Sequence, residues 1–478
     1  MPATNQHIHL TGICGTAMGA LALMLKERGY HVTGSDAQAY PPMSTVLAEN
    51  GITVIEGFRP ENLEPQPDLV VIGNAMSRGN EEVEAILERK IRYTSLAEAL
   101  KEYFIRGRTS LVVTGTHGKT TTASLLAWVL DHAGRKPGYM IGGVPRNFPS
   151  GARDGDGTFF VTEGDEYDTA FFDKRSIFVH YLPDYVIVNN IEFDHADIFA
   201  DVEEIELSFR RMLNLVPRNG LIVANARDDR VMRVTENSWA RRVTFCVEGS
   251  ESVPADWVAR DLRETPSGTT FTLVGPPGEI GCTFGLFGSH NVSNAVAVAA
   301  VASHVGLTLH EIADGFETFL GVRRRLQRLE SPDSVVLYDD FAHHPTAIAE
   351  TLTAVRAAHP GHRVWALFEP RSNTTVQNIF QRELAASLGH ADTVIIGEIH
   401  RLNRIDPAKR LDIDRLLSDL RSAGSDARHV SEPDVIVANV VESVRPGDVI
   451  VIMSNGAFGG LVKKLPDALG NAPNLHSS

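Results

Sequence analysis

Apolar positions along this chain follow two alternating rhythms. Short runs of β-branched and aliphatic residues are separated by longer stretches with helical periodicity. Residues 7–11 predict a strand, followed by a glycine-rich turn and an apolar helix through Ala20-Leu21-Ala22-Leu23-Met24-Leu25. Gly29 ends that helix, residues 30–33 start a second strand, and residues 69–72 form another buried one. This is a βαβ pattern. The polar stretch Arg106-Gly107-Arg108-Thr109 then separates it from Leu111-Val112-Val113. The next region predicts strands at 111–114, 159–162, 185–188 and 221–224, with helices between them such as 123–133. After about residue 242 short strands alternate with turns, Pro266-Ser267-Gly268 and Pro276-Pro277-Gly278. That pattern predicts an antiparallel insertion on the edge of a parallel sheet. A helical run follows over 294–305, and a boundary falls near Leu320-Gly321. The last region is the most regular. Strands at 335–338, 364–368, 394–396 and 449–453 alternate with helices at 346–358, 376–388 and 412–423.

The expected fold is therefore α/β with three domains. Residues 1–107 form a Rossmann-like domain. Residues 108–320 form a central P-loop ATPase-like α/β domain carrying the antiparallel insertion, and 321–478 a C-terminal doubly wound α/β domain. The length of 478 residues agrees, being too great for one core. No internal repeat or low-complexity tract interrupts the pattern.

Charge narrows the partners. Sixty acidic residues against 45 basic ones give a net charge of −15. Such a surface disfavours nucleic acid and anionic membranes, and an anionic substrate needs a local positive site. The start, Met1-Pro2-Ala3-Thr4-Asn5-Gln6, lacks the basic and apolar regions of a signal peptide. No apolar run is long enough to span a bilayer. Cys14, Cys246 and Cys282 are scattered without metal or redox spacing, as reduced thiols in a cytoplasmic protein would be. Oligomeric state is left open.

The strongest chemical signal is Thr114-Gly115-Thr116-His117-Gly118-Lys119-Thr120-Thr121-Thr122, which follows a buried strand and opens a helix. Glycines let backbone N–H groups turn toward phosphate oxygens. The helix N-terminus, the Lys119 charge and the Thr120 hydroxyl complete a nucleotide site with Mg²⁺. The strict G-x-x-x-x-G-K-[ST] pattern would put glycine where Val113 stands, so the loop is a variant. Glu163 ends the next strand and is the candidate acid for the metal. It opens the cluster Glu163-Gly164-Asp165-Glu166-Tyr167-Asp168, in which Asp165 and Glu166 read partly as a solvated acidic loop. The strand at 185–188 ends in Asn189-Asn190-Ile191-Glu192-Phe193-Asp194-His195, a third strand end carrying polar groups. In the first domain a dinucleotide fingerprint starting at Gly12 would need glycine at Cys14 and Ala17, which disfavours NAD. The turn still offers N–H groups to a diphosphate, with Asp36 near the ribose or base.

Taken in order, these motifs resemble the Mur ligase family, which builds the peptide part of bacterial cell-wall precursors. The resemblance rests on Gly12-Ile13-Cys14-Gly15 with Ser35-Asp36, the loop at 115–121, the Glu163 cluster and Asn190 with His195. It continues through Gly288-Ser289-His290-Asn291 with Asn294-Ala295, Arg324-Arg325, and Asp339-Asp340 with His343-His344-Pro345. It implies an ATP-dependent, ADP-forming ligase using Mg²⁺. ATP would be held by Gly115, Thr116, His117, Gly118, Lys119, Thr120, Thr121, His290, Asn291, Asn294, Arg325 and Asp340. Lys119, Glu163 and His195 would be catalytic, and Thr120, Glu163 and His195 would hold metal. A UDP-sugar substrate would meet Gly12, Cys14, Gly15, Thr16, Ser35, Asp36 and Asn190. A peptide substrate would meet His343, His344, Arg371, Ser372, Asn373 and Asn455. On the residues alone, His290-Asn291 also reads as a helix cap and Arg323-Arg324-Arg325 as a solvated basic turn.

Some members carry a carbamylated lysine about a dozen residues after the metal-binding histidine. Here that place holds Glu203-Glu204-Ile205-Glu206-Leu207-Ser208, so the modification is not expected. Members that act on UDP-N-acetylmuramate also lack it. Tyr40-Pro41-Pro42-Met43-Ser44, Phe368-Glu369-Pro370-Arg371-Ser372-Asn373-Thr374 and Met453-Ser454-Asn455-Gly456 resemble the branch that adds L-Ala-γ-D-Glu-meso-diaminopimelate in murein recycling. The branch that adds free L-alanine is the alternative. An NAD-dependent dehydrogenase would explain only the first βαβ unit, and a nucleotide-gated binding protein would show no turnover.

Overall fold

The computed structural model describes residues 6–472 and 475, apart from 40, 197, 266, 333, 401, 403 and 404. Residues 1–5, Tyr40 and Pro266, which enter the reading above, lie outside the described residues. Three sheets follow one another along the chain. The first is wholly parallel, in the order Thr53–Glu56, His31–Asp36, His7–Thr11, Leu69–Ile72, Tyr93–Ser95. The second has ten strands. Its parallel part runs from Trp257–Thr265 through Arg241–Val247, Leu221–Asn225, Tyr185–Val188, Thr109–Thr114 and Phe159–Gly164 to Gly138–Met140. Antiparallel strands close both edges, Gly268–Gly275 and Gly278–Phe284 on one side and Ala152–Arg153 on the other. The third is ordered Gln327–Arg328, Val336–Asp340, Val449–Met453, Val364–Phe368, Thr393–Ile396, Asp426–His429, antiparallel only at its first strand.

The central strands are apolar at successive positions because helices cover both faces. Leu69–Ile72 and Val449–Met453 are buried throughout. In the middle sheet, Thr109–Thr114 lies between Phe159–Gly164 and Tyr185–Val188. Its register pairs Val113 with Glu163 and Thr114 with both Gly164 and Val188. Three chain segments therefore leave the carboxyl edge side by side, where parallel sheets present their ligand crevice.

Two expectations are corrected. The insertion after residue 242 is not wholly antiparallel, since Arg241–Val247 and Trp257–Thr265 extend the parallel order. The helix Asp229–Thr235 and the connection over 248–256 each return the chain to the same end of the sheet, which parallel pairing requires. The helix expected over 376–388 begins only at Gln381, after a 3₁₀ turn at Asn378–Phe380. Upstream, the Ser372 hydroxyl accepts from the Thr375 amide at 3.1 Å and meets the Thr375 hydroxyl at 2.7 Å. The backbone at Val376 and Gln377 pairs with a distant segment instead of continuing a helix: the Val376 carbonyl takes the Leu411 amide at 3.0 Å and Gln377 bridges to Arg410. Residues 426–429, 433–443 and 461–470 form a strand and two helices that the sequence reading left unassigned.

One apolar core runs from Ile8, Leu10 and Leu25 through Phe104 into Phe160, Val186 and Phe209, fusing the first sheet to one face of the second. Arg28 and Arg108 both reach Asp154 across that junction. The third sheet has separate cores on its two faces. Its links to the middle domain include hydrogen bonds at the carboxyl edges, described next.

Candidate active site

Gly118 precedes the helix Lys119–His132 with φ 79°, and no side chain caps that helix. Its positive φ favours glycine, and a Cβ there would lie 2.8 Å from the Asn294 side-chain oxygen and displace it. Lys119 folds back over the loop, donating to the Gly115 carbonyl at 2.7 Å and to Glu166 at 3.2 Å, with Asp165 at 3.4 Å. Burial opposes its charge, but Glu166, Asp165 and Glu163 together push its pKa above the usual lysine value. Glu163 is buried, with one oxygen taking the Thr120 hydroxyl at 2.9 Å and the other the Gly142 amide at 2.6 Å. Desolvation, reinforced by Asp165, raises its pKa to about 6. A hydroxyl and a carboxylate meeting beside a phosphate loop are the oxygen donors that Mg²⁺ prefers, so these residues fit the metal. His195 has φ 53° and stands 3.6 Å from Glu166. Glu166 thus lies between Lys119 and His195. It is only 2% exposed, which corrects its reading as a solvated loop residue.

A cavity of about 510 Å³ opens beside the loop. Thr116, His117, Gly118, Lys119, Thr120 and Thr121 form one wall. His290, Asn291 and Asn294 face them from the helix Ser289–His304, and Arg325 and Asp340 close the cavity from the third domain. Gly115 supports the wall from behind through its carbonyl bond to Lys119. The Arg325 guanidinium reaches the Thr120 hydroxyl at 3.4 Å and packs over the Phe341 ring. Arg324 donates to the carbonyls of Ser454 and Gly456 at 2.6 and 2.7 Å. Arg324 and Arg325 are therefore engaged rather than solvated. Asp340 takes the amides of Leu326 and Ala342, so it shapes the turn carrying Arg325. Nor is His290-Asn291 a helix cap, because Gly288 holds that position without a side-chain bond and Asn291 bonds back to the Phe287 carbonyl.

Several expected substrate residues sit elsewhere than assigned. Asn190 brackets His117, accepting its amide at 2.8 Å and donating to its carbonyl at 3.3 Å. It lines the cavity beside the loop and does not join the group around Gly12. His343 lines the same cavity. His344 is buried, caps the helix Pro345–Ala358 and packs against the His117 ring, so both histidines stand beside the loop at 115–121. Burial, with nearby His117, lowers the His344 pKa to about 4, so its ring is neutral at physiological pH. Ser35 is fully buried and donates its hydroxyl to Glu82, which removes it from direct substrate contact. The amides of Gly12 and Ile13 meet the Ser35 carbonyl, and that of Cys14 meets Asp36 at 2.8 Å. Gly15 and Thr16 form the exposed part of that turn.

Arg371 pairs with Glu369 at 3.5 Å and packs so closely on Gly456 that a Cβ there would collide with the guanidinium. Ser372 is engaged with Thr375. Asn373 accepts from the Gln377 side chain at its carbonyl. The side-chain oxygen of Asn455 is buried without a hydrogen-bond partner. Sequence reasoning missed Asn189 and Glu192. Asn189 donates to Thr122 at 3.0 Å, and Glu192 meets His117 at 3.3 Å. Burial works against the Glu192 charge, but hydrogen bonding from His117 and Thr346 holds its pKa at about 2. Their signal was positional: both lie in the run that leaves the strand Tyr185–Val188.

Comparison with known proteins places this geometry. The chain matches the Mur ligase family catalytic domain over residues 7–108, the Mur ligase middle domain over 113–302, and the Mur ligase glutamate ligase domain over 324–456. It is 44% identical to the UDP-N-acetylmuramate–L-alanyl-γ-D-glutamyl-meso-2,6-diaminoheptandioate ligase of Escherichia coli (strain K12), over 97% of this chain and 98% of that protein. It is 33% identical to the UDP-N-acetylmuramate–L-alanine ligase of Mesorhizobium japonicum, over 98% and 99%. The crystal structure of a murein peptide ligase from Psychrobacter arcticus superposes with a TM-score of 0.72 at 36% identity, covering 98% of this chain and 99% of that one.

Proposed function

This chain belongs to the Mur ligase family, and from that premise we propose that it joins UDP-N-acetylmuramate to L-Ala-γ-D-Glu-meso-diaminopimelate with ATP. The carrying observation is the 44% identity to the tripeptide-adding ligase along essentially the whole of both proteins, against 33% to an alanine-adding one. The product would return recycled murein peptide to a cell-wall precursor in the cytoplasm. Among the described residues no helix is long and apolar enough to cross a membrane.

A carboxylate does not acylate an amine in neutral water. Transfer of the ATP γ-phosphoryl group to the muramate carboxylate gives an acyl phosphate. Attack by the alanyl amine then expels phosphate and forms the amide. Lys119 is suited to offset charge on the transferring phosphoryl group, because the acids around it keep it cationic despite burial. Thr120 and Glu163 would hold Mg²⁺ with His195, and the ion would screen the phosphate oxygens when bound. His290, Asn291, Asn294 and Arg325 are suited to enclose the rest of the nucleotide. Since the cavity has walls from two domains, docking of the third domain would exclude water from the acyl phosphate. Gly15, Thr16 and Asp36 would receive the UDP moiety.

Arg371 is the candidate for a peptide carboxylate. Its partner Glu369 holds it at the carboxyl end of the strand Val364–Phe368. The test is product mass with UDP-N-acetylmuramate, ATP and either L-alanine or the tripeptide. We expect product with the tripeptide, and a raised peptide KM for Arg371→Ala. Preference for alanine would transfer the chain to the alanine-adding branch.

A further inference from the structure

Three consecutive residues after the strand Tyr185–Val188 each take a hydrogen bond from the third domain. The Glu192 carboxylate accepts from the Thr346 hydroxyl at 2.6 Å, and the Phe193 carbonyl lies 3.3 Å from the His344 ring nitrogen. The Asp194 carboxylate accepts from the Thr374 hydroxyl at 2.9 Å. His344 and Thr346 open the helix Pro345–Ala358, whereas Thr374 lies in the turn before Asn378, so two separate third-domain segments converge here.

The same residues hold the chemistry from the other side. The Glu192 amide donates to the Thr116 hydroxyl at 2.9 Å, and that hydroxyl also reaches the Glu192 carbonyl at 3.3 Å. The carboxylate oxygen bonded to Thr346 stands 3.3 Å from the His117 ring. One residue thus grips two positions of the phosphate loop. Likewise, the Asp194 oxygen that meets Thr374 also takes the His195 amide at 2.8 Å. His195 has left-handed backbone, φ 53°, which is uncommon outside glycine.

We propose that residues 192–194 transmit third-domain docking to the catalytic groups, with Glu192 setting the phosphate loop and Asp194 setting His195. This rests on the ligase reading above. Glu192 also lines the cavity beside the loop, and the role proposed for the three residues is to position others. The arrangement makes phosphoryl transfer conditional on closure, so that the acyl phosphate forms only after water has been excluded. An interface serving adhesion alone has no need to route its bonds through the loop and His195.

The test uses full-length protein carrying Thr346→Val, Thr374→Val or both, with Thr→Ser at each site as the conservative rescue. Neither hydroxyl is part of the proposed catalytic set, but Thr346 lines the cavity, so the ATP KM is measured for each variant and kcat is read at saturating ATP. The expected result is a kcat lower by on the order of ten- to hundredfold in the double variant at saturating substrates. The serine variants should recover most of it. Small-angle scattering with a non-hydrolysable ATP analogue and UDP-N-acetylmuramate should show the same contraction as wild type. An unchanged kcat at saturation overturns the proposal. So does a loss confined to KM or to the contraction, which would make these bonds docking contacts only. Wild type is the control for the underlying reading: if it makes no ligated product, the ligase reading fails and takes this proposal with it, whereas an active wild type with unaffected variants overturns this proposal alone.

Discussion

The turn after the strand His7–Thr11 and the loop after Thr109–Thr114 share a local design and differ in what they leave open. Each follows a parallel strand, bends at a glycine with positive φ (Gly12 at 85°, Gly115 at 136°) and enters a helix with no side-chain cap. In the first, the amides of Gly12, Ile13 and Cys14 are met from within the domain by Ser35 and Asp36. Beneath it, Glu82 gathers Thr11, Ser35 and His9 into a buried network. In the second, the charge at the helix start is Lys119, and the neighbouring groups come from two other strand ends and a second domain. A turn stabilised from within suits recognition of a bound group. A loop completed from outside suits a step that must wait for other parts.

The largest expected contrast between them is charge. Lys119→Ala should lower kcat by on the order of 10²–10³ or more, because a preorganised cation at the transferring phosphoryl group is lost. The measurement is steady-state ADP release, with circular dichroism to check the fold. Near-normal turnover in a folded protein would remove Lys119 from the chemistry and leave the two turns alike.

A smaller effect concerns the metal. Glu163 and Thr120 meet directly, whereas His195 approaches through Glu166. Glu163→Gln should therefore shift the Mg²⁺ activation midpoint upward by at least about tenfold, and His195→Ala by less. A Mg²⁺ titration of activity decides between them. If both variants keep the wild-type midpoint and excess Mg²⁺ rescues neither, the donors lie elsewhere.

The two turns also differ in how far the sequence discloses them. Glycine spacing, the lysine and the flanking apolar strand all lie within one short stretch, so the phosphate loop is legible as local pattern. The strand-end rule extends this to Glu163 and Asn190, which end or follow the two strands that pair in parallel with Thr109–Thr114. What remained hidden depends on packing between distant segments. Glu166 looks solvated in the acidic run, and only the return of Lys119 over it shows that it is buried. The pair His343-His344 gives no sign of which domain it faces, because that depends on where the helix Pro345–Ala358 docks. Ser35 looks like a substrate contact until Glu82, far along the chain, takes its hydroxyl. Propensity failed at 376–378 for the same reason, since the Val376 carbonyl takes the Leu411 amide and Gln377 bridges to Arg410.

The smallest expected effect lies at the first turn, and it separates backbone from side chain. Cys14 is 4% exposed, and its amide is what meets Asp36. Cys14→Ser keeps that amide and nearly the same volume, so the turn should persist and the KM for UDP-N-acetylmuramate should stay within about twofold. Some stability should be lost, roughly 1–2 kcal/mol, because a hydroxyl replaces an apolar thiol in a buried site. Asp36→Asn is the comparison. One Asp36 oxygen takes the Cys14 amide and the other the Ala37 amide, both at 2.8 Å. An asparagine retains only one acceptor oxygen, so one amide loses its partner. Its cost should appear in the UDP-N-acetylmuramate KM, by on the order of tenfold. Initial rates over a range of UDP-N-acetylmuramate at fixed ATP measure both variants together. A Cys14→Ser KM as high as that of Asp36→Asn would mean that the sulfur, and not the turn, meets the substrate.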